Sequence, residues 1–403
     1  MMYIFLTYAM YGLSGAPSYV SNKVKWLKER GEDAVVFDHY GGLNMRKQIE
    51  LDNLLPYKEN RMLELFFPPS YFTRRQKERI LDKLCQTIGE ADDYVVESSS
   101  SRLALWGELL AERLHAKHLL LYIGEHLTIR TEEEYRFLNF KLNRRELFTI
   151  KPKTMQNLFM GYRTISDEEA GNMFFTASMG VKPVDVPMPE IENLPEANYR
   201  ILSFGRYKPY FENLIDGVLD FCSRHKSERV NFLIMGEVVL SDKTRSKLES
   251  ESNLFVKFID PKRPLPKAVF DYSDVVIATA GCANISYFYG AKTISMDVET
   301  CMPLGVMGYT TTDSVYSSNP NQLKYEVCDL LEDILVNHCY DGEKLMKMKK
   351  KSFSKGFDYQ IGLINDDRLY WPDVERIVFD NRLRRIAEEI VLRCGGVRLF
   401  AKR

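Results

Sequence analysis

Short runs of consecutive apolar residues alternate along this chain with stretches in which apolar positions recur every three to four residues. That is the pattern of strands buried on both faces between amphipathic helices. The first half predicts a strand over 3–8, a Gly-rich turn, a helix over 17–30 and a strand over 33–37. After a long irregular and helical stretch it predicts a strand over 94–97, a helix over 102–114 and a strand over 118–123. Such alternation builds a parallel α/β sheet. The segment KPVDVPMPEIENLPEAN carries four prolines and three glutamates without a helical period, and reads as an interdomain linker. Beyond it the alternation restarts, with strands over 200–204, 230–235, 254–258, 275–279 and 293–296. Past roughly Cys328 the pattern turns helical.

The expected organisation is therefore an N-terminal Rossmann-like domain over 1–185, a linker over 186–198, a second Rossmann-like domain over 199–375 and a helical segment over 376–403. The length of 403 residues suits two domains of ordinary size. Two doubly wound sheets in tandem are expected to face one another across a cleft, with the site at their carboxyl edges. Hydrophobic content of 45% and charged content of 28% describe a globular protein and exclude disorder or a fibre. A net charge of −1 removes the main argument for a nucleic-acid partner. The seven cysteines are scattered without C-x-x-C spacing, as expected of reduced thiols. The first residues lack a basic n-region and no apolar run approaches the ~20 residues of a spanning helix, so the expected location is cytoplasmic.

The most informative stretch is ILSFGRYKPYFENLIDG (Ile201 to Gly217), matched by DVVIATAGCANISYFYGAKTISMD (Asp274 to Asp297). Each is an apolar run that reaches glycine and opens into a helical pattern, placing helix N-terminal amides at a sheet edge, where phosphates bind. FGR after the first strand of the second half, IMG at Ile234 to Gly236, the block FIDPKRPLPKAVFDYSDVVIATAG and the N-terminal glycine turn together resemble the GT-B glycosyltransferases. The resemblance covers most of the chain in layout and about a hundred residues in motif. It implies a nucleotide-sugar docked mainly on the C-terminal domain, a carbohydrate or lipid-linked acceptor on the N-terminal one, and no metal or other cofactor.

Under that resemblance Gly205, Arg206 and Lys208 meet the donor diphosphate, whose charge grows as it leaves. The family's second basic residue lies further on, where this chain has Phe211 and Glu212, so Lys208 stands in for it. Gly281, Cys282, Ala283 and Asn284 offer amides to the pyrophosphate, with Asn284 and Ser286 adding short polar side chains. Gly236 and Asp260 follow strands whose loops surround the base. Many family members carry a glutamate five residues before the glycine of this helix, to hold the ribose. Here Ile285 stands there, and ribose recognition passes to Asp297 or Glu299. Both retention and inversion at the sugar stay open.

In the first half, Gly12, Ser14 and Gly15 belong to a small-residue turn on the acceptor side; it departs from G-x-G-x-x-G, which ranks a dehydrogenase lower. Glu125, with His126 as second choice, follows the buried run LLLYI and is the candidate base. Asp92-Asp93 and Asp366-Asp367 resemble metal-binding pairs but read as solvated. Basic aromatic stretches such as EYRFLNFKLNRRELFTIKPK suit peripheral contact with an anionic membrane face or an ordinary solvated helix. The function expected is sugar transfer from a nucleotide-sugar to a glycan or lipid-linked acceptor in cell-surface polysaccharide synthesis. The alternatives are a nucleotide-sugar epimerase and a non-catalytic nucleotide-binding scaffold, the latter favoured by the missing glutamate.

Overall fold

The computed structural model describes residues 1–7, 15–38, 59–122, 128–149, 151–173, 183–205, 210–236, 240–262, 265–317, 324–346, 362, 367–372 and 374–377. The chain divides into two compact units, one made of 1–179 together with 351–403, the other of 180–350.

The sheet of the first unit comprises β1 (Met2–Thr7), β2 (Asp33–Asp38), β3 (Glu59–Arg61), β4 (Tyr94–Ser98), β5 (Lys117–Tyr122) and β6 (Leu147–Thr149). Their order is β3-β2-β1-β4-β5-β6, and every pairing is parallel. The helices are α1 (Gly15–Glu29), α2 (Arg74–Ile88), α3 (Ser101–Leu114), α4 (Glu132–Asn143), α5 (Pro152–Phe159) and α6 (Asp167–Asn172). Alternation along the strands splits the core in two. Tyr3, Phe5 and Val95 pack with residues of α1 and α4, whereas Ile4, Leu6 and Val96 pack with residues of α2 and α3. Helix starts carry their own signals: Thr73 and Gln76 form a reciprocal capping box, and Ser100 and Thr131 cap α3 and α4.

An ion pair between α1 and β4 is sealed inside this core. Lys23 of α1 is fully buried, its Nζ 2.5 Å from Glu97 Oε2 and donating to the hydroxyls of Tyr3 (2.6 Å) and Tyr19 (3.0 Å). Burial lowers the Lys23 pKa against the pull of Glu97, and burial followed by Glu97 raises both tyrosines. Removing either charge would strand the other, so the pair fixes α1 against β1 and β4.

The second unit repeats the plan with β7 (Tyr199–Phe204), β8 (Val230–Met235), β9 (Leu254–Ile259), β10 (Val275–Ala278), β11 (Thr293–Met296) and β12 (Pro303–Val306), in the order β12-β11-β10-β7-β8-β9. All pairings are parallel except the closing β11–β12 pair. Its helices are α7 (Pro189–Glu192), α8 (Tyr210–Arg224), α9 (Asp242–Ser250), α10 (Ala268–Tyr272), α11 (Ala280–Tyr289) and α12 (Val327–Leu331). Ile201 and Ile277 pack with residues of α8 and α12, and Leu202 and Val276 with residues of α10 and α11.

Two expected boundaries move. Met188, inside the expected linker, is 3% exposed and packs in the second core, Val184 bridges Pro266, and Asn231 Nδ2 donates to the Pro195 carbonyl. At the other end, residues placed with the second domain up to 375 return to the first unit. Arg144 holds Asp367 through two hydrogen bonds (2.7 and 3.2 Å), Tyr370 donates to the Ala116 carbonyl, and Val374 and Ile377 are buried in the first core. Buried aromatic and aliphatic side chains, which the composition of the segment did not reveal, fix it there.

Candidate functional site

Three loops converge at the carboxyl edge of the second sheet. Gly205 ends β7 with φ +142° and Gly236 ends β8 with φ +147°, a backbone that residues with a Cβ rarely adopt. Their N–H groups donate to the carbonyls of Met235 and Ile259, each a bond to the end of the neighbouring strand. The glycines interlock: a Cβ on Gly236 would overlap the Gly205 carbonyl oxygen. A Cβ on Gly205 would stand 3.5 Å from Cys282 Sγ, at the start of α11. Because β7 lies between β8 and β10, this convergence sits where the winding of the sheet reverses, the usual ligand position of such folds.

The start of α11 is unusually built. Thr279 occupies the N-cap but makes no cap hydrogen bond; its hydroxyl is directed at the carbonyls of Met296 and Ser314. Ala280 has φ +50°, a left-handed conformation that costs an L-residue roughly 1 kcal/mol, and strain of this kind clusters at functional sites. Its N–H donates to the Ser314 carbonyl, while the N–H groups of Cys282 and Ala283 fold back on the Thr279 carbonyl. Of the amides expected to meet a phosphate, only that of Gly281 is thus left at the helix start.

The other predicted donor residues separate. Asn284 has a buried side-chain oxygen without a hydrogen-bond partner, an acceptor suited to a hydroxyl or amino group rather than to a phosphate. Ser286 is fully buried and donates to the Cys282 carbonyl (2.9 Å), so it belongs to the core and not to a ligand surface; it shares a helix face with Ala283 and Tyr287. Asp260 is exposed just past β9. Asp297 is committed: one carboxylate oxygen accepts the N–H groups of Glu299 and Thr300, the other that of Ser317. That closes a loop and turns most of the carboxylate's acceptor capacity inward. Arg206 and Lys208 lie outside the described residues.

In the first unit Glu125, His126, Gly12 and Ser14 also lie outside the described residues, and Gly15 opens α1. Next to them in sequence, Tyr122 contacts Ser101, whose hydroxyl donates to Glu134 (2.5 Å) at the carboxyl end of β5. Deeper in the unit, Ser98, His118 and Glu108 form a chain that looks like a hydrolase triad. Ser98 Oγ is 3.1 Å from His118 Nε2, and Glu108 Oε2 is 2.5 Å from His118 Nδ1. Gly107 seals it: a Cβ there would overlap Ser98 Oγ and stand 2.5 Å from His118 Nε2, leaving no room for a substrate. Lys141 Nζ also meets Glu108 (2.8 Å) and Glu146 (2.6 Å), and the Trp371 N–H donates to the second Glu108 oxygen (2.6 Å). Burial, then Lys141, pushes His118 down to about 4. Burial acts to raise the Glu108 carboxyl, but Lys141 and His118 hold it at about 2. The network is structural.

The acidic pairs are not merely solvated. Asp93 receives Arg368 (3.1 Å) and Asp367 receives Arg144, each fastening the returning segment. Among the described residues no group of three or more His, Cys, Asp or Glu is placed to hold a metal ion, and no helix is long and apolar enough to cross a membrane.

No family model and no curated protein matches the sequence. Solved structures do match in fold. A glycosyltransferase from Rickettsia africae ESF-5 is 14% identical over 97% of this chain and 99% of its own, with a TM-score of 0.56. A TarM mutant from S. aureus, solved with Fondaparinux, alpha-GlcNAc-glycerol and UDP, is 11% identical over 91% of this chain and 100% of its own, with a TM-score of 0.57. HepE from Anabaena, solved with UDP, is 13% identical over 97% of this chain and 100% of its own, with a TM-score of 0.51. The two Rossmann-like units have the GT-B fold.

Proposed function

We propose that this chain is a glycosyltransferase that moves a sugar from a nucleotide-sugar to a glycan or lipid-linked acceptor in the assembly of cell-surface polysaccharide. The observation that carries the reading is the convergence of Gly205, Gly236 and the start of α11 at the switch point of the second sheet. Two of the fold neighbours were solved with UDP, which supports a nucleoside diphosphate as the ligand here. In this reading the diphosphate lies against the Gly281 amide and the positive end of the α11 dipole, with Arg206 and Lys208 supplying charge. The Asn284 side-chain oxygen accepts from a hydroxyl of the donor, a part taken elsewhere by the glutamate missing at Ile285. Glu125, or failing it His126, relieves the acceptor hydroxyl of its proton.

Because cationic side chains and a helix end neutralise the leaving group, transfer proceeds without a bound metal, at the cytoplasmic face of a membrane if the acceptor is lipid-linked. The test is release of free UDP or GDP from a panel of nucleotide-sugars in the presence of an acceptor extract. Release should persist in EDTA; loss of turnover restored by Mn²⁺ or Mg²⁺ would refute the metal-free reading, and no release with any donor would refute transfer itself. Arg206→Ala should weaken calorimetric affinity for the nucleoside diphosphate about tenfold or more, since charge-assisted hydrogen bonds contribute roughly 1.5–3 kcal/mol, while the melting temperature stays put. Unchanged affinity would remove Arg206 from the site.

A further inference from the structure

β9 closes one side of the second sheet and, among the described residues, pairs with β8 alone. The Val230 N–H donates to the Asn253 carbonyl and the Gly236 N–H to the Ile259 carbonyl, so the odd-numbered positions of this strand turn their backbone groups toward β8. Backbone direction alternates along a strand, which leaves Leu254, Val256 and Phe258 turned to the open edge. Among the described residues, the Leu254 N–H alone of these three finds a partner, folding back on the Glu251 carbonyl (3.3 Å). The register with β8 is unbroken over all six residues, and neither proline nor bulge guards the edge. Phe255 and Phe258 are 41% and 39% exposed, and a groove of about 330 Å³ beside them is lined by Arg245, Leu248 and Glu249 of α9. An unguarded edge of this length invites another strand.

The strand is complementary to itself. An antiparallel copy related by a two-fold axis at Val256 sets Val256 opposite Val256 and Leu254 opposite Phe258. These are the positions whose backbone groups already face outward, so they become the hydrogen-bonded pairs. Phe255 then falls opposite Lys257 in the intervening pairs, where side chains approach closest, and two reciprocal cation–π contacts result. Leu254 and Val256 already pack in part on one core of the unit, and Phe258 lies under the Arg245 guanidinium at 5.2 Å. The paired copy extends that apolar strip. A slip of two residues in either direction loses an outward pair and the Phe255–Lys257 match. We propose that β9 is a homodimer interface, joining two second-unit sheets into one continuous sheet. Lys257 does not guard the edge, because its backbone is spent on β8 and its side chain answers Phe255 of the second copy.

A strand pair with flanking α9 contacts lies at the small end of specific interfaces, so the dimer should be reversible and concentration-dependent. Sedimentation velocity of the full chain from micromolar to near-millimolar concentration should show the mass rising from one chain toward two. Opposed Cα atoms of a hydrogen-bonded antiparallel pair lie ~5.5 Å apart, within disulfide range. Val256→Cys should therefore give a covalent dimer under mild oxidation, and Phe255→Cys and the wild-type chain far less. Val256→Pro removes an N–H that the β8 ladder does not use, so it should abolish the dimer with little change in melting temperature. A wild-type chain that stays monomeric throughout, a dimer indifferent to Val256→Pro, or equal cross-linking at 255 and 256 would each overturn the proposal.

Discussion

At the scale of single residues, the candidate site depends on atoms that are missing. Gly236 can hold φ +147° and lie against the Gly205 carbonyl only because it has no Cβ. Gly236→Ala must move the Gly205 turn as well as strain its own backbone, and should cost about 2–4 kcal/mol. It should also abolish nucleoside diphosphate binding; thermal unfolding and calorimetry on the same variant check both, and normal affinity would show that the turn is not part of the site. The glycines were legible in the sequence because each ends an apolar run. Ala280 was not: nothing in TAGCAN announces a left-handed alanine, since that conformation is imposed by the Ser314 carbonyl binding its N–H. Ser286 was misread although the spacing held the answer, because three residues after Ala283 is the inward face of α11.

At the scale of elements, strands built on an unbroken apolar run announced themselves within a residue or two, whereas β3 (ENR), β6 (LFT) and β12 (PLGV) carried no apolar run distinct enough to separate from loop. Charge inside the first sheet was equally hidden. A histidine and a glutamate a few residues from apolar runs gave no sign that they meet between α3, β5 and α4. Their coupling has a consequence for acid stability. His118 stays neutral in the folded state down to about 4, against an ordinary value of 6.5. Between those values the unfolded chain binds a proton that the folded one refuses, so stability is full above 6.5 and falls as pH drops through the window. The slope approaches 1.4 kcal/mol per pH unit for one proton. Glu108, held at about 2 against 4.5, adds a second loss below that range. His118→Gln should flatten the upper window and narrow the lower one, because His118 helps to hold the Glu108 carboxyl down; denaturant unfolding across the pH series measures it, and an unchanged slope in the upper window would show that other groups govern acid unfolding.

At the scale of the whole molecule, the two-unit plan was readable from the restart of the alternation after residue 198, but the return of the chain to the first unit was not. The returning segment is short on periodicity and is held by particular partners: Arg144 on Asp367, Arg368 on Asp93 and the His115 carbonyl, and Trp371 edge-on to Phe137 and Phe140. Trp371→Ala should destabilise the first unit by roughly 3 kcal/mol, as large-to-small changes at packed aromatics do. Calorimetry should show one transition moved down and one unmoved; a uniform shift of both would mean that the units melt together. Because the first unit takes residues from both sides of the second, which is continuous over 180–350, order of synthesis and order of completion are inverted. On the ribosome the second unit has all of its sequence before the first does. The earlier-made half must wait, with part of its core open, for the returning segment to emerge at ~5–20 residues per second, and it is this half whose yield depends on protection during translation.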